Sequence, residues 1–91
     1  MTRILRVTEK TATIDMGIET RTVRLTTLRD MLGCLYTTTD REAREQLSPE
    51  ELTDTPWWEV RYWDWRRREW TCFYCGESML RRLRHLAGLD G

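Results

Sequence analysis

The sequence predicts a small α+β domain, in which an antiparallel sheet is covered on one face by two to four short helices. Three observations predict this class. Apolar and polar residues alternate in the first quarter of the chain and again in the last third, as in half-buried strands. In the middle and near the C-terminus, apolar residues recur every three or four positions, as on one face of a helix. The resulting order of strands, helices, hairpin and helix is typical of that class.

The chain length fits one domain. The chain has 91 residues, and domains commonly have about 50 to 200. We therefore expect residues 1–91 to form a single compact domain. Hydrophobic residues make up 40% of the chain, which is enough for a modest core. The length excludes a large enzyme fold such as the (β/α)₈ barrel, which needs about 250 residues.

The first 25 residues are expected to form three short strands. Residues 11–16 show the clearest alternation, and the candidate third strand spans residues 20–25. Threonine is frequent in this segment, and its β-branched side chain favours a pleated surface. The residues expected to point towards the core are Leu5, Val7, Ala12, Ile14, Met16, Val23 and Leu25.

The next segment is expected to form a helix. The apolar residues at helical spacing are Leu28, Met31, Leu32, Leu35 and Tyr36. Thr27 is the expected N-cap, because a threonine hydroxyl accepts a hydrogen bond from the first turn.

Two further helix starts follow. Thr39 and Glu42 have the spacing of a capping box. Ser48 is the expected cap of the next helix, with Pro49 at its first position and Glu51 three residues after the cap. This helix is expected to be short, because the breaking residues 53–56 follow it.

The last third is expected to form a hairpin and a final helix. Residues 57–65 read as a strand, Arg66–Arg68 as the turn and residues 69–74 as the return strand. The face of the first strand that carries Trp58, Val60 and Tyr62 is expected to lie on the core. The apolar positions of the final helix are Met79, Leu80, Leu83, Leu86 and Ala87, and Gly88 is its expected end.

Charge is balanced overall but unevenly distributed. The formal net charge is zero, yet residues 1–29 carry +3, residues 30–59 carry −6 and residues 60–91 carry +3. Such asymmetry affects the choice of partner rather than the fold. No apolar run approaches the roughly 18 residues that span a bilayer, and residues 1–10 lack the apolar centre of a signal peptide. We therefore expect a soluble, cytoplasmic protein that does not associate with membranes.

The strongest functional signal is a block of aromatic and basic residues between positions 57 and 70, which holds all five tryptophans. If one strand face is buried, the other presents a row of tryptophans, and Trp and Arg are enriched at interface hot spots. The expected partner-binding residues are Trp57, Arg61, Trp63, Trp65, Arg66, Arg67 and Arg68, with the acidic Glu50, Glu51 and Asp54. The alternative is that residues 36–56 cover this face, or that arginines stack on the indoles within the monomer.

The cysteines allow a weaker hypothesis. Cys72 and Cys75 have the spacing of a zinc knuckle, and Cys34 and His85 are the remaining soft ligands. A second ligand pair is missing, so we expect neither a metal nor a cofactor and keep a zinc-stabilised module as an alternative. A thioredoxin-like role for the pair lacks the βαβ pattern that accompanies such sites.

The expected function is therefore binding rather than catalysis. No phosphate loop, nucleophile elbow or zinc-protease motif occurs. We expect a small inhibitor or adaptor that occupies the surface of a protein or of a protein–nucleic-acid complex. Phage-encoded or plasmid-encoded anti-defence proteins, including anti-CRISPR proteins, are of this general type, although no motif carries that analogy.

Two alternatives stay open. One is a nucleic-acid-binding regulator that uses Trp65 and the neighbouring arginines, since stacking and phosphate contact suit single strands. The zero net charge and the interrupting acids Glu59, Asp64 and Glu69 favour a protein partner over it. The other concerns assembly, because an exposed apolar hairpin invites self-association and the chain is either a monomer or a homodimer.

Overall fold

The computed structural model describes residues 2–38 and 41–89 and confirms the α+β class. Six strands and four helices lie within these ranges. Their order is β1 (Arg3–Val7), β2 (Thr11–Asp15), β3 (Thr20–Arg24), α1 (Leu25–Leu32), β4 (Leu35–Thr38), α2 (Arg41–Gln46), α3 (Pro49–Leu52), β5 (Trp57–Asp64), β6 (Glu69–Cys75) and α4 (Glu77–Leu86).

The strands form two antiparallel sheets instead of the one sheet that the sequence predicts. Sheet A has the order β1-β2-β3, and sheet B has the order β4-β5-β6. The N-terminal strands therefore do not pair with the Trp-rich hairpin. The hairpin instead takes β4 as its third strand, and this strand lies in a segment that was expected to be helical.

The sequence predicts that the first helix continues to Tyr36, which is farther than it does in the structure. Helix α1 ends at Leu32, with Gly33 as its C-cap, and Leu35 and Tyr36 pair with β5 opposite Val60 and Glu59. Two adjacent apolar residues fit a helical period, but Thr37 and Thr38 that follow favour a strand. Pairing with β5 then satisfies backbone groups that a longer helix would have bonded internally.

The start of α1 also differs from the prediction. The helix begins at Leu25, directly after β3, and Arg24 is its N-cap without a side-chain capping bond. Thr27 therefore lies inside the helix and does not cap it. The Leu25 N–H donates to the carbonyl oxygen of Lys10 at 2.9 Å, so the β1–β2 turn satisfies one of the N-terminal donors that have no partner within the helix.

A β-bulge changes which face β1 buries. The register with β2 shifts between Ile4 and Arg6, so Leu5 is the extra residue and the alternation changes face there. Ile4 packs against the core, whereas Leu5 and Val7 are about half exposed, at 51% and 46%. The prediction of an inward Leu5 is therefore wrong, whereas Val7 stands opposite the buried Ala12 and lies on the core-facing side at the exposed edge of the sheet. Alternation alone does not reveal the bulge that places these two residues on opposite faces.

One hydrophobic core lies between the inner faces of both sheets and helices α1 and α4. Ile14 of sheet A, Phe73 and Val60 of sheet B and Leu83 of α4 are fully buried. The remaining buried members are Ala12, Met16, Val23, Leu28, Met31, Leu32, Cys75, Leu80 and Ala87. The predicted core faces of β2 and α4 are thus confirmed.

The local start and stop signals explain the remaining helices. The Ser48 hydroxyl accepts from the Glu51 N–H at 3.2 Å, and Pro49 occupies the first turn of α3 as expected. Thr39 of the other capping box lies outside the described residues. Gly88 has φ 73° just beyond α4, which is the left-handed conformation that glycine adopts without a steric penalty. None of the described helices is long and apolar enough to cross a membrane.

Candidate functional site: the outer face of sheet B

The outer face of sheet B points away from the core. It carries side chains that the sequence predicts to point outward. Glu59, Arg61 and Trp63 lie on this face of β5, while Val60 is buried on the opposite face. Across the hairpin, Tyr74, Cys72 and Trp70 stand opposite them in register. Tyr36 of β4 stands opposite Glu59 on the other side.

One end of this face is covered by α2 and α3. Ala43, Leu47 and Tyr74 are buried together, and Leu52 and Trp57 pack against them. The Trp57 indole N–H donates to the carbonyl oxygen of Leu52 at 3.2 Å, and the Arg44 guanidinium lies 5.6 Å from the Trp57 ring centroid. Trp57, an expected contact residue, therefore anchors these helices instead of lying on an open surface.

The other end of the face is open and aromatic. We call the set Tyr36, Arg61, Trp63, Trp65 and Trp70 the aromatic face. Trp65 is 78% exposed, Trp70 is 60% exposed and Tyr36 is 57% exposed. The half-buried Trp63 meets both indoles edge to face, with centroid distances of 6.1 Å to Trp65 and 5.4 Å to Trp70. Trp63 thus holds two exposed indoles in fixed positions.

Two members of the aromatic face were not among the expected contact residues. Trp70 joins the face because Trp63 and Trp70 are cross-strand partners when Asp64 pairs with Glu69. The length of the Arg-rich turn fixes this register and could have pointed to Trp70. Tyr36 belongs to the aromatic face only because β4 is a strand. Its spacing in the sequence fits a helix and does not predict this strand.

Arg61 is held against its own sheet. Its Nε donates to Glu59 Oε1 at 2.8 Å, and Glu59 is almost fully buried. This hydrogen bond, together with the charge of Glu59, raises the pKa of Arg61 above its ordinary value. The guanidinium also lies 5.8 Å from the Tyr36 ring centroid. Arg61 therefore neutralises a buried carboxylate and still borders the aromatic rings.

The three turn arginines differ in their surroundings. Arg67 pairs with Glu69 and reaches Glu19 of the β2–β3 turn at 3.3 Å. Arg66 and Arg68 are exposed and form no ion pair with a described residue. These two guanidiniums are consequently the ones that face solvent with uncompensated charge.

The expected acidic contact residues mostly have structural roles. The Asp54 carboxylate accepts from the Ser78 N–H at 2.8 Å and from its hydroxyl at 3.2 Å, so it caps α4. Glu51 belongs to the Ser48 cap through a 3.2 Å bond from its N–H to the Ser48 hydroxyl. Glu50 is exposed and is the member of this group that stays available to a partner.

The cysteines are not brought together as a metal site. Among residues 2–38 and 41–89, no three His, Cys, Asp or Glu side chains are arranged to hold a metal ion. Cys72 lies on the outer face opposite Arg61, whereas Cys75 is fully buried on the inner face. Burial raises the pKa of the Cys75 thiol to about 12. Burial, and then the charge of Glu59, also raise the pKa of Cys72.

Comparisons with family models, with curated proteins and with solved structures find no match for this chain.

Proposed function

We propose that this protein is a small non-enzymatic binding protein that occupies the surface of a partner protein, alone or within a protein–nucleic-acid complex, through the aromatic face. The observation that carries the proposal is the pair of exposed indoles, Trp65 and Trp70, held by Trp63. They expose roughly 300 Å² of mostly apolar surface, whose burial favours association by roughly 7 kcal/mol before the entropic costs of binding.

The rigidity of the cluster supports the same proposal. Both indoles are in edge-to-face contact with the half-buried Trp63. Side chains that are already ordered lose little conformational entropy on binding, so more of the burial energy appears as affinity. Charged groups border the rings, since Arg61 lies over Tyr36 and Arg66 lines the same groove as Trp65. A central aromatic cluster with a polar rim is the usual anatomy of a protein interface.

The proposal assigns no catalytic step to this surface. Cys72 stands opposite Arg61 on this face, and its raised pKa lowers the fraction of reactive thiolate at neutral pH. The inhibitory or adaptor role expected from the sequence, including an anti-defence role, fits a protein that acts by covering a partner's surface.

We place the proposed activity in the cytoplasm. The cysteines Cys34, Cys72 and Cys75 are all free. Free cysteines suit a reducing compartment, because oxidising compartments favour disulfides.

The experiment is affinity capture from lysate of the source cell, with mass spectrometry of the eluate. Wild-type protein is compared with Trp65→Ala/Trp70→Ala and with Leu5→Ala, which removes a half-exposed apolar side chain from the bulge in sheet A. We expect one protein to be enriched by wild type and by Leu5→Ala and reduced at least tenfold by the double variant. Equal enrichment by all three would overturn the proposal.

A nucleic-acid partner is the second candidate, and one observation favours it. The acids that interrupt the basic run are compensated within the fold. Glu59 pairs with Arg61, Asp64 with Arg21 and Glu69 with Arg67. The uncompensated charge beside the indoles is therefore positive. Such a surface suits stacking of single-stranded bases next to phosphate contacts.

This candidate has a direct test. Fluorescence anisotropy with labelled 12-nucleotide single strands of DNA and RNA is measured at low and at high salt. Binding that weakens steeply with salt and is lost in Trp65→Ala/Trp70→Ala would support a nucleic-acid partner. Unchanged anisotropy at low salt would remove this candidate and leave the protein partner.

A further inference from the structure

The free edge of sheet A at β3 is open for pairing with another strand. The Leu25 N–H donates to the Lys10 carbonyl, and the Met16 N–H donates to the Glu19 carbonyl. Backbone groups alternate in direction along a strand, so odd-numbered residues of β3 bond to β2. The even-numbered residues, Thr20, Thr22 and Arg24, therefore direct their N–H groups away from the sheet, and the two threonines also direct their carbonyls there.

This edge differs from the opposite edge of the same sheet. The opposite edge, β1, carries the bulge at Leu5 and the flanking Arg3 and Arg6, which are features that discourage strand addition. The register of β3 against β2 is unbroken from Thr20 to Arg24. Of the two edges, β3 is thus the one with the regular spacing that an added strand requires.

A groove of about 490 Å³ lies along the β3 edge, and we call it the edge groove. Its lining includes Thr22 and Arg24 of β3, the hydroxyl-bearing Thr26 and Thr27 of α1, and Trp65 and Arg66 beyond the end of β5. The exposed indole of Trp65 is therefore shared between the edge groove and the aromatic face.

The charge of the edge groove is positive. Its one acidic lining residue, Asp64, is neutralised by Arg21 at 2.6 Å. Arg24 and Arg66 are exposed and form no ion pair with a residue in the described ranges. An acidic occupant of the edge groove would therefore meet two guanidiniums that no carboxylate of the described residues neutralises.

We propose that the edge groove binds an extended acidic segment of a protein partner, which adds to β3 as a fourth strand and places an apolar side chain on Trp65. This rests on the proposed function, in that it specifies the protein partner. A peptide fits better than a nucleic acid because the edge offers both N–H donors and carbonyl acceptors, and a peptide backbone supplies the complement of each. A phosphate backbone offers acceptors to the N–H groups and leaves the carbonyls without donors.

The test uses a displayed library of random 12-residue peptides selected on the immobilised full chain. We expect the selected peptides to be rich in Asp and Glu. The bound peptide should slow hydrogen exchange of the Thr20, Thr22 and Arg24 amides at least tenfold, measured by NMR. Failure to select any peptide, or selected peptides that leave these three amides unchanged, would overturn the proposal.

Variants separate backbone pairing from general attraction. Thr22→Pro removes an outward N–H without removing a backbone hydrogen bond of the sheet, and edge strands tolerate proline at such positions. It also removes the 2.8 Å bond between the Thr13 and Thr22 hydroxyls, and Thr22→Val, which removes that bond but keeps the N–H, is its control. Arg24→Glu/Arg66→Glu reverses the charge of the two unpaired arginines that line the groove. Thr22→Pro and this double variant are each expected to weaken binding of a selected peptide at least tenfold. The matched control Arg82→Glu, an exposed arginine of α4, should leave the affinity unchanged.

Failure of the edge-groove proposal can be distinguished from failure of the proposed function. Trp70 belongs to the aromatic face and does not line the edge groove, so Trp70→Ala should retain peptide binding while it weakens capture of the whole partner. If no peptide binds but capture still depends on Trp65 and Trp70, the aromatic face stands and the edge-groove proposal falls. If a peptide binds at β3 while capture does not depend on Trp65 or Trp70, peptide binding by the edge groove is supported and the aromatic-face proposal falls.

Discussion

The guanidinium of Arg21 in β3 lies 2.6 Å from the carboxylate of Asp64 at the end of β5 and joins the two sheets. A second nitrogen of the same guanidinium donates to the Thr71 hydroxyl on β6 at 2.7 Å. The Asp64 carboxylate also accepts from the N–H groups of Arg66 and Arg67 in the turn, at 3.0 and 3.2 Å. One nearly buried ion pair thus fixes the hairpin turn, and the tryptophans on either side of it, against sheet A.

We expect Asp64→Asn to lower the free energy of unfolding by about 3 kcal/mol, because it leaves the Arg21 guanidinium without its counter-charge in a site that is largely closed to water. The measurement is urea denaturation at pH 7. The matched control is Asp15→Asn, since the Arg3–Asp15 pair is longer, at 3.7 Å, and more exposed. Asp15→Asn should lower the free energy of unfolding by less than about 1 kcal/mol. Equal losses in both variants would mean that the inter-sheet pair has no special role.

The same pair predicts a pH dependence. Burial by itself would raise the pKa of Asp64, but hydrogen bonds from Arg21 and from the Arg67 and Arg66 amides outweigh it and hold that pKa below its ordinary value. The unfolded chain therefore binds this proton at higher pH than the folded protein does. The stabilisation is full well above about pH 4, the ordinary range of an aspartate, and is lost as the pH falls through the lowered pKa. The stability gap between wild type and Asp64→Asn should narrow between about pH 5 and pH 2. A gap that stays constant over this range would contradict the assignment.

Gly76 is expected to be intolerant of a side chain because of contact rather than backbone strain. A Cβ at this position would lie 2.8 Å from Asp54 Oδ2 and 3.0 Å from the Asp54 carbonyl oxygen, while the backbone φ of −81° suits any residue. We expect Gly76→Ala to cost about 2 kcal/mol in thermal or urea unfolding, as overpacking does.

Gly88 provides the matched control for Gly76. Its φ is 73°, and a Cβ added there would meet open space, with no contact within 4 Å among the described residues. Gly88→Ala should therefore cost about 1 kcal/mol through backbone strain alone. Adding Asp54→Ala should relieve part of the cost of Gly76→Ala and none of the cost of Gly88→Ala. Equal relief in both backgrounds would show that the Asp54 contact is not the cause.

Arg68 has a backbone φ of 51° in the hairpin turn, a conformation that costs a residue with a Cβ about 1 kcal/mol or more. We expect Arg68→Gly to raise the free energy of unfolding by about 0.5 to 1 kcal/mol. Arg66→Gly in the same turn should lower the free energy of unfolding. Arg66 has no positive φ for glycine to relieve, so the substitution only increases the entropy of the unfolded chain. Chemical denaturation of both variants measures the difference, and a stabilisation of similar size in each would contradict the explanation.

The cysteines should differ in reactivity. Cys75 is fully buried and burial raises its pKa to about 12, so it should resist iodoacetamide in the native protein at pH 8. Cys34, which is half-buried, should be modified first. Tandem mass spectrometry of tryptic peptides reports each site, because fragmentation separates Cys72 from Cys75 within the peptide of residues 69–81. All three cysteines should react after unfolding in urea. Modification of Cys75 at the rate of Cys34 in the native protein would contradict its burial.

Local signals in the sequence were sufficient for several elements. The alternation of Ala12, Ile14 and Met16 predicts the buried face of β2 because period two follows from strand geometry. The Ser48 and Pro49 start of α3 is equally local, since it depends on bonds within one turn. The amphipathic α4 follows for the same reason, with Leu80 and Leu83 buried as predicted.

The sequence did not predict the features that depend on partners distant in the chain. Leu35 and Tyr36 fit a helical period, and pairing with β5, across about 25 residues of chain, decides that they form a strand. The bulge at Leu5 reverses the alternation of β1, and it is set by the match to β2. In sheet B, β4 pairs with the β5 edge of the hairpin, while β1, β2 and β3 pair only with one another.

The sequence by itself determined the α+β class, the hairpin, the concentration of tryptophan and arginine on it, and the uneven charge. Tertiary structure decided which of those side chains are available. It covered Trp57 with α2 and α3, brought Trp70 beside Trp63, and used Asp54 and Asp64 to cap a helix and join two sheets. The physical reason is that exposure and ion pairing depend on atoms that are distant in the chain and adjacent in space, whereas period and composition are local properties.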